Sequence, residues 1–213
     1  MTVAIMKPRT VQRFVIHGLI GMLALASAHG AVADQVGHFE GRVAVEWLDD
    51  AGDARNMRLL EEFAFVDGAG KAWTVPAGTV INGASIPRAL WSVIGPPFVG
   101  AYRRASVVHD YYCEIMAEPW PDVHLMFYEA SLAAGVDDLT AKLMYAAIYG
   151  AGPRWAEADP GVRGAKARRL KPPPLDEDAL ESLEDWIRAE DPDLDALEAR
   201  VDRLLKPAGG DPQ

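Results

Sequence analysis

The spacing of apolar residues changes part-way along the chain. From Phe39 to Pro76 apolar and polar positions alternate. FEGRVAVEW places Val43, Val45 and Trp47 on one face, and RLLEEFAFV does the same for Phe63 and Phe65. The clusters DDAGD and DGAGK separate these runs before AWTV. Alternation with period two, interrupted by turn residues at this spacing, predicts a short antiparallel β-meander. The next stretch, PAGTVINGASIP, is rich in glycine and proline and predicts a loop, with Asn82-Gly83 shaping a tight turn at positive φ.

Beyond that loop the period is helical. Ser85 precedes IPRALWSVI with Pro87 in the first turn, where a missing N–H costs nothing, so a short capped helix is expected there. After GPPF, the run AYRRASVVHDYYCEIMA carries Tyr102, Ala105, His109, Tyr112 and Met116 at helical spacing, and EPWP ends it. A third helix is expected from about Asp122 to Ala134, closed by Gly135, and a fourth over LTAKLMYAAIYG before Pro153. The expected fold class is therefore α+β, a short antiparallel meander followed by three or four packed helices, over residues 34–155.

The two ends of the chain have a different character. Residues 1–33 combine a basic start (Lys7, Arg9, Arg13), the apolar run FVIHGLIGMLALASA and the small-residue pattern Ala31-Val32-Ala33. These are the three parts of a secretory signal peptide, so export to the periplasm or medium is expected. The apolar run falls short of the roughly 20 residues that span a bilayer, so no stable membrane span is expected after cleavage. Residues 156–174, basic and ending in three prolines, read as a linker. Residues 175–213 hold two acidic amphipathic segments, with Leu180, Leu183, Trp186 and Ile187, then Leu194, Leu197, Val201 and Leu204, on their apolar faces. Such a helical tail suits a protein partner or self-association, and equally a fold-back onto its own domain.

Charge and cysteine usage narrow the function. The net charge is −10 although the leader is basic, so the remainder is more acidic than the whole. A chain of that sign is repelled by phosphate backbones, and nucleic-acid binding is not expected. The single cysteine, Cys113, allows no intrachain disulfide. Without basic neighbours at i±3 or i±4 on its helix, it reads as an inert apolar residue and not as a reactive thiol.

The segments VPAGTVINGASIPRALW, GAYRRASVVHDYYCE, MFYEASLAAGV and LMYAAIYGAG together resemble the bacterial and phage family known as domain of unknown function 1353, over roughly residues 41–155. The resemblance implies a small α+β fold shared with that family and carries no activity with it. Two positions depart from the family's pattern. Cys113 stands where a tyrosine is expected four residues after the histidine, with Tyr112 one position earlier. His124 stands where the later helix usually has an aspartate.

Candidate chemistry centres on His109 and Asp110, with Asn82 and Ser85 of the preceding loop, Tyr112, Asp122 and His124 as supporting groups. VVHDYYC also resembles part of the helical His-Asp pattern of the small calcium-dependent secretory phospholipases. That likeness implies His109 as a base and Asp110 as a cation ligand. A second reading sets His109, His124 and one carboxylate, Asp110 or Asp122, around a divalent cation that activates water. Both make the protein a hydrolase. Against them stand a purely structural His-Asp pair at a helix–loop junction, and a non-catalytic envelope or phage-derived interaction protein. Ser85 lies outside any nucleophile-elbow pattern and reads as a helix cap.

Overall fold

RLLEEFAFV, which alternation reads as one strand, is divided between two sheets in the computed structural model of the protein. Strand β3 (Met57–Leu59) lies at the centre of a sheet ordered β2-β3-β6, with β2 spanning Val45–Trp47 and β6 Val80–Ile81. Strand β4 (Phe63–Val66) is central in a second sheet ordered β1-β4-β5, with β1 His38–Glu40 and β5 Ala72–Val75. All of these pairings are antiparallel. The structure describes residues 36–48, 56–83, 96, 98–158, 161, 164–171 and 177–205. The leader, Ser85 and the short helix expected behind it lie outside these residues.

Parity explains how one alternating run serves two sheets. Met57, Leu59, Phe63 and Phe65 are all odd-numbered and all buried, so the chain crosses at Leu60–Glu62 without changing which face it presents to the core. Two expectations need correction. The single meander is two small sheets, and Val80–Ile81, assigned to the loop, forms a strand against β3. Trp47, on one face with Val43 and Val45, is 65% exposed at the end of the edge strand β2.

Helix α1 (Arg103–Ile115) ends where Met116 turns left-handed, at φ 51°. Helix α2 (Trp120–Ala133) begins after Pro119, with Pro121 and Asp122 in its first turn, where a missing N–H is harmless and a negative charge is favoured. Helix α3 (Asp138–Ala151) is capped by Asp137, whose side chain accepts from the Thr140 amide at 3.0 Å. The connection 116–119 is only four residues long and folds α1 back along α2. Ring contacts in reversed order, Tyr102 with Phe127 and His109 with His124, confirm the antiparallel packing.

The sheets, α1 and α2 enclose the main core. Tyr112 joins them: its ring packs edge-on against Trp73, and its hydroxyl accepts from the Thr74 amide at 3.1 Å. A second core lies along α3, where Leu143, Tyr145, Ala146 and Tyr149 meet Leu183 and Ile187 of α4 (Glu177–Glu190) and Leu197 and Val201 of α5 (Leu194–Leu205). The C-terminal tail thus folds back. Part of the expected linker is also structured, since β7 (Arg154–Ala156) pairs with β8 (Arg168–Leu170) as an antiparallel hairpin. The strands, helices and tail belong to one compact unit, Ala33–Gln213. Among the described residues no helix is long and apolar enough to cross a membrane.

Candidate functional site

The helical hairpin places His109 and His124 at nearly equal distances from its turn, and they meet. His109 Nε2 and His124 Nδ1 are 2.9 Å apart, and both residues are fully buried. The Phe127 ring covers His109 at 4.8 Å and Trp120 covers His124 at 5.5 Å, between ring centroids. Cys113, one helical turn after His109, brings its sulfur to 3.6 Å from His109 Nε2. The donor atoms of His109, Cys113 and His124 all lie within 4.8 Å of one another.

Burial sets the protonation of all three groups. It lowers the His109 pKa to about 3. It drives His124 well below the usual histidine value, helped by the neighbouring His109 and by Arg154 and opposed by the Pro153 carbonyl. It raises the Cys113 thiol well above its ordinary value, with Asp110 adding to the effect. At neutral pH the centre therefore holds two uncharged imidazoles and a thiol.

Neutral rings fix the direction of the hydrogen bonds. His124 Nε2 lies 3.1 Å from the Pro153 carbonyl oxygen, which can only accept, so this nitrogen carries the His124 proton. His124 Nδ1 is then an acceptor, and His109 Nε2–H donates to it. Gly152 makes the approach feasible. A Cβ there would collide with the Ile148 carbonyl oxygen and come within 3.2 Å of His124 Nε2.

Asp110 points elsewhere. Its Oδ2 accepts from the backbone N–H groups of Asn82 at 2.8 Å and Gly83 at 3.1 Å, tying α1 to a turn in which Gly83 has φ +70°. His109 and Asp110, expected to act together at one site, thus face different partners. Adjacent helical residues diverge by about 100°, so one enters the interface with α2 while the other reaches the loop. Among the expected supporting groups, Tyr112 faces β5, and Asp122 is exposed on α2, about 200° around from His124. Ser85 lies outside the described residues. Of the metal set expected from the sequence, His109 and His124 come together, and Cys113 rather than Asp110 stands beside them.

Cys113 was legible as a partner, because His109-x-x-x-Cys113 is the i, i+4 spacing that puts two side chains on one helical face. Arg169 was hidden in the presumed linker. From β8 its guanidinium donates to the Cys113 carbonyl at 3.1 Å and to Glu114 Oε2 at 2.7 Å.

These elements border a cavity of about 560 Å³. Asn82, Asp110, Cys113, Glu114, Pro153 and Arg169 line it, with Val80 at one side. Glu114 and Arg169 have exposed side chains. Cys113 and Pro153, the wall residues that touch the two histidines, separate the cavity from the buried centre.

Residues 57–148, which include α1, α2 and the Asn82-Gly83 turn, match the family described as protein of unknown function (DUF1353). That match makes the resemblance seen in the motifs a finding. Two relatives are similar to the chain, both uncharacterised proteins of Sinorhizobium fredii (strain NBRC 101917 / NGR234). Protein y4jT is 41% identical over 139 residues, covering 65% of this chain and 41% of the relative. Protein y4iH is 38% identical over 121 residues, covering 57% of this chain and 51% of the relative. The chain thus spans only about half the length of these relatives, or less. No solved structure matches.

Proposed function

We propose that the protein is an exported binding domain whose working surface is the cavity between the Asn82-Gly83 turn, α1 and the β7–β8 hairpin. Its ligand is a small polar molecule offering both hydrogen-bond donors and acceptors. The observation that carries this reading is the cavity itself, about 560 Å³ and walled by Asn82, Asp110, Glu114 and Arg169. Small-molecule pockets fall in the range of roughly 300–1,000 Å³ and use a few placed polar groups to orient the occupant. The basic, apolar and small-residue succession of residues 1–33 supports export.

The alternatives have less support. Hydrolysis with His109 as a free base needs an imidazole that reaches substrate and holds a proton near neutral pH, whereas this one is sealed and its pKa is pushed to about 3. Cys113 is a protonated thiol and a weak nucleophile. The acidic tail has its apolar residues Leu183, Ile187, Leu197 and Val201 buried against α3, so these four are already covered within the domain.

Thermal-shift titrations with amino acids, dipeptides and simple sugars test the reading, wild type beside Arg169→Ala. A saturable rise in Tm, diminished in the variant, is the expected result. Failure of all three classes to shift the wild type overturns it. Export is tested separately by the mass of the mature chain, which should begin near Asp34; a chain that retains Met1 overturns that part.

A further inference from the structure

The geometry points to a metal site that goes beyond ligand binding: we infer that His109 Nε2, His124 Nδ1 and Cys113 Sγ together hold one zinc-class transition-metal ion at the floor of the cavity. Tetrahedral zinc, with Zn–N of about 2.0–2.1 Å and Zn–S of about 2.3 Å, places its nitrogens about 3.3 Å apart and nitrogen and sulfur about 3.6 Å apart. Here the nitrogens are 2.9 Å apart, and Cys113 Sγ is 3.6 Å from His109 Nε2. Opening the imidazole pair by about 0.4 Å brings it to the metal-bound spacing, and the three donor atoms, all within 4.8 Å of one another, draw together around the ion.

The surroundings have the features of a ligand shell. His124 presents a lone pair on Nδ1 because its other nitrogen donates to the Pro153 carbonyl, an outer contact of the kind that fixes tautomer and ring orientation in metal-bound histidines. His109 and Cys113 sit one turn apart on a rigid helix, and His124 comes from the helix packed against it. Two imidazoles and a thiol select zinc and softer ions over calcium or magnesium, which take oxygen ligands. The calcium chemistry implied by the phospholipase resemblance therefore has no counterpart in this donor set. Three protein ligands leave one tetrahedral position open.

His124 binds through the lone pair it already offers and keeps its Nε2 proton on the Pro153 carbonyl. The His109 proton shifts from Nε2 to Nδ1, so that ring stays neutral and binds through Nε2. The Cys113 thiol proton leaves for solvent, so one proton is released per ion and binding tightens as pH rises.

The test is titration of the purified, reduced protein with cobalt(II), a spectroscopic stand-in for zinc, followed by displacement with zinc. The expected result is one ion per chain with a sulfur-to-cobalt charge-transfer band and the intense visible bands of tetrahedral cobalt. Cys113→Ala should abolish the charge-transfer band. His124→Gln should weaken binding by about 100-fold or more, since loss of an outer-shell contact alone costs 10–100-fold. Glu61→Gln, exposed and paired with Arg42 away from the cavity, should bind as the wild type does. Far-UV circular dichroism establishes that each variant is folded. If Cys113→Ala does not fold, X-ray absorption of the wild-type zinc form decides, with one sulfur at about 2.3 Å and nitrogens at about 2.0 Å expected. Lack of stoichiometric cobalt binding, a charge-transfer band that survives in folded Cys113→Ala, or a zinc shell without sulfur each overturns the site. None of these readouts depends on an organic ligand, so the binding reading stands or falls separately.

Discussion

His109 donates to His124 across the α1–α2 interface at 2.9 Å, in a site closed to solvent on both helices. The bond joins two neutral rings, with the shared proton on His109 and the lone pair on His124 Nδ1. A further proton on His124 Nδ1 would remove the acceptor, and a positive charge on either ring would sit where no water can solvate it. The pair therefore makes the fold depend on staying uncharged.

Acid should accordingly unfold the protein earlier than its carboxylates alone would. The folded pKa values of His109 and His124 are depressed, His109 to about 3, against an unfolded value of 6.5. Between those limits the unfolded chain binds more protons than the native one, so stability falls as pH falls below 6.5 and the loss continues toward 3. Each histidine contributes a slope of up to about 1.4 kcal/mol per pH unit in that window. Chemical denaturation at pH 7.5, 5.5 and 4.5 should show it. His124→Gln should shallow the slope, and an unchanged slope would count against the neutral pair.

The second partner in VVHDYYCE makes a different prediction. Asp110 accepts two backbone N–H groups of the Asn82-Gly83 turn, so its substitution should cost stability. Asp110→Asn keeps an acceptor oxygen and loses the charge, at about 1–1.5 kcal/mol. Asp110→Ala leaves both amides without it, at about 2–3 kcal/mol. Urea denaturation measures both. Equal costs for the two variants would show that the carboxylate does not act as the clamp described.

How much of this was readable in advance depends on the range of the interaction. Alternation put Phe63 and Phe65 on one face, and both are buried, because parity is a local property of a strand. It did not show that Leu60–Glu62 carries the chain between sheets, since pairing partners are chosen by long-range contacts. The placing of His109 and His124 on neighbouring antiparallel helices followed from the short EPWP connection. The divergence of Asp110 from His109 was contained in the helical angle between adjacent residues. Arg169 had no local signal at all, because β8 forms only by pairing with β7, whose residues lie fourteen earlier along the chain.

Gly152 should tolerate no side chain. Its φ of −73° is ordinary, so the constraint is space and not backbone strain. An added Cβ meets the Ile148 carbonyl oxygen at the end of α3 and crowds His124 Nε2. Gly152→Ala should therefore destabilise by about 2–3 kcal/mol, the cost of overpacking a rigid interior. It should also shift the His124 ring resonances in NMR spectra. A variant as stable as the wild type would mean that α3 can move away from the pair without penalty.

The tail should prove integral to the domain. Tyr145 donates to Glu198 at 2.6 Å, and the Lys142 ammonium bridges Asp138 at 2.8 Å and Asp191 at 2.6 Å. Leu197 is fully buried among residues of α3 and α4. Leu197→Ala should cost about 2–4 kcal/mol, through lost transfer energy and the cavity left behind. Deleting the chain after residue 171 should do more, since it uncovers Leu143, Tyr145 and Tyr149 along one side of α3. Self-association on size-exclusion chromatography and a lowered Tm are the expected outcomes. A truncated chain that remains monomeric and melts with the parent would mean that α3 does not need the tail's cover.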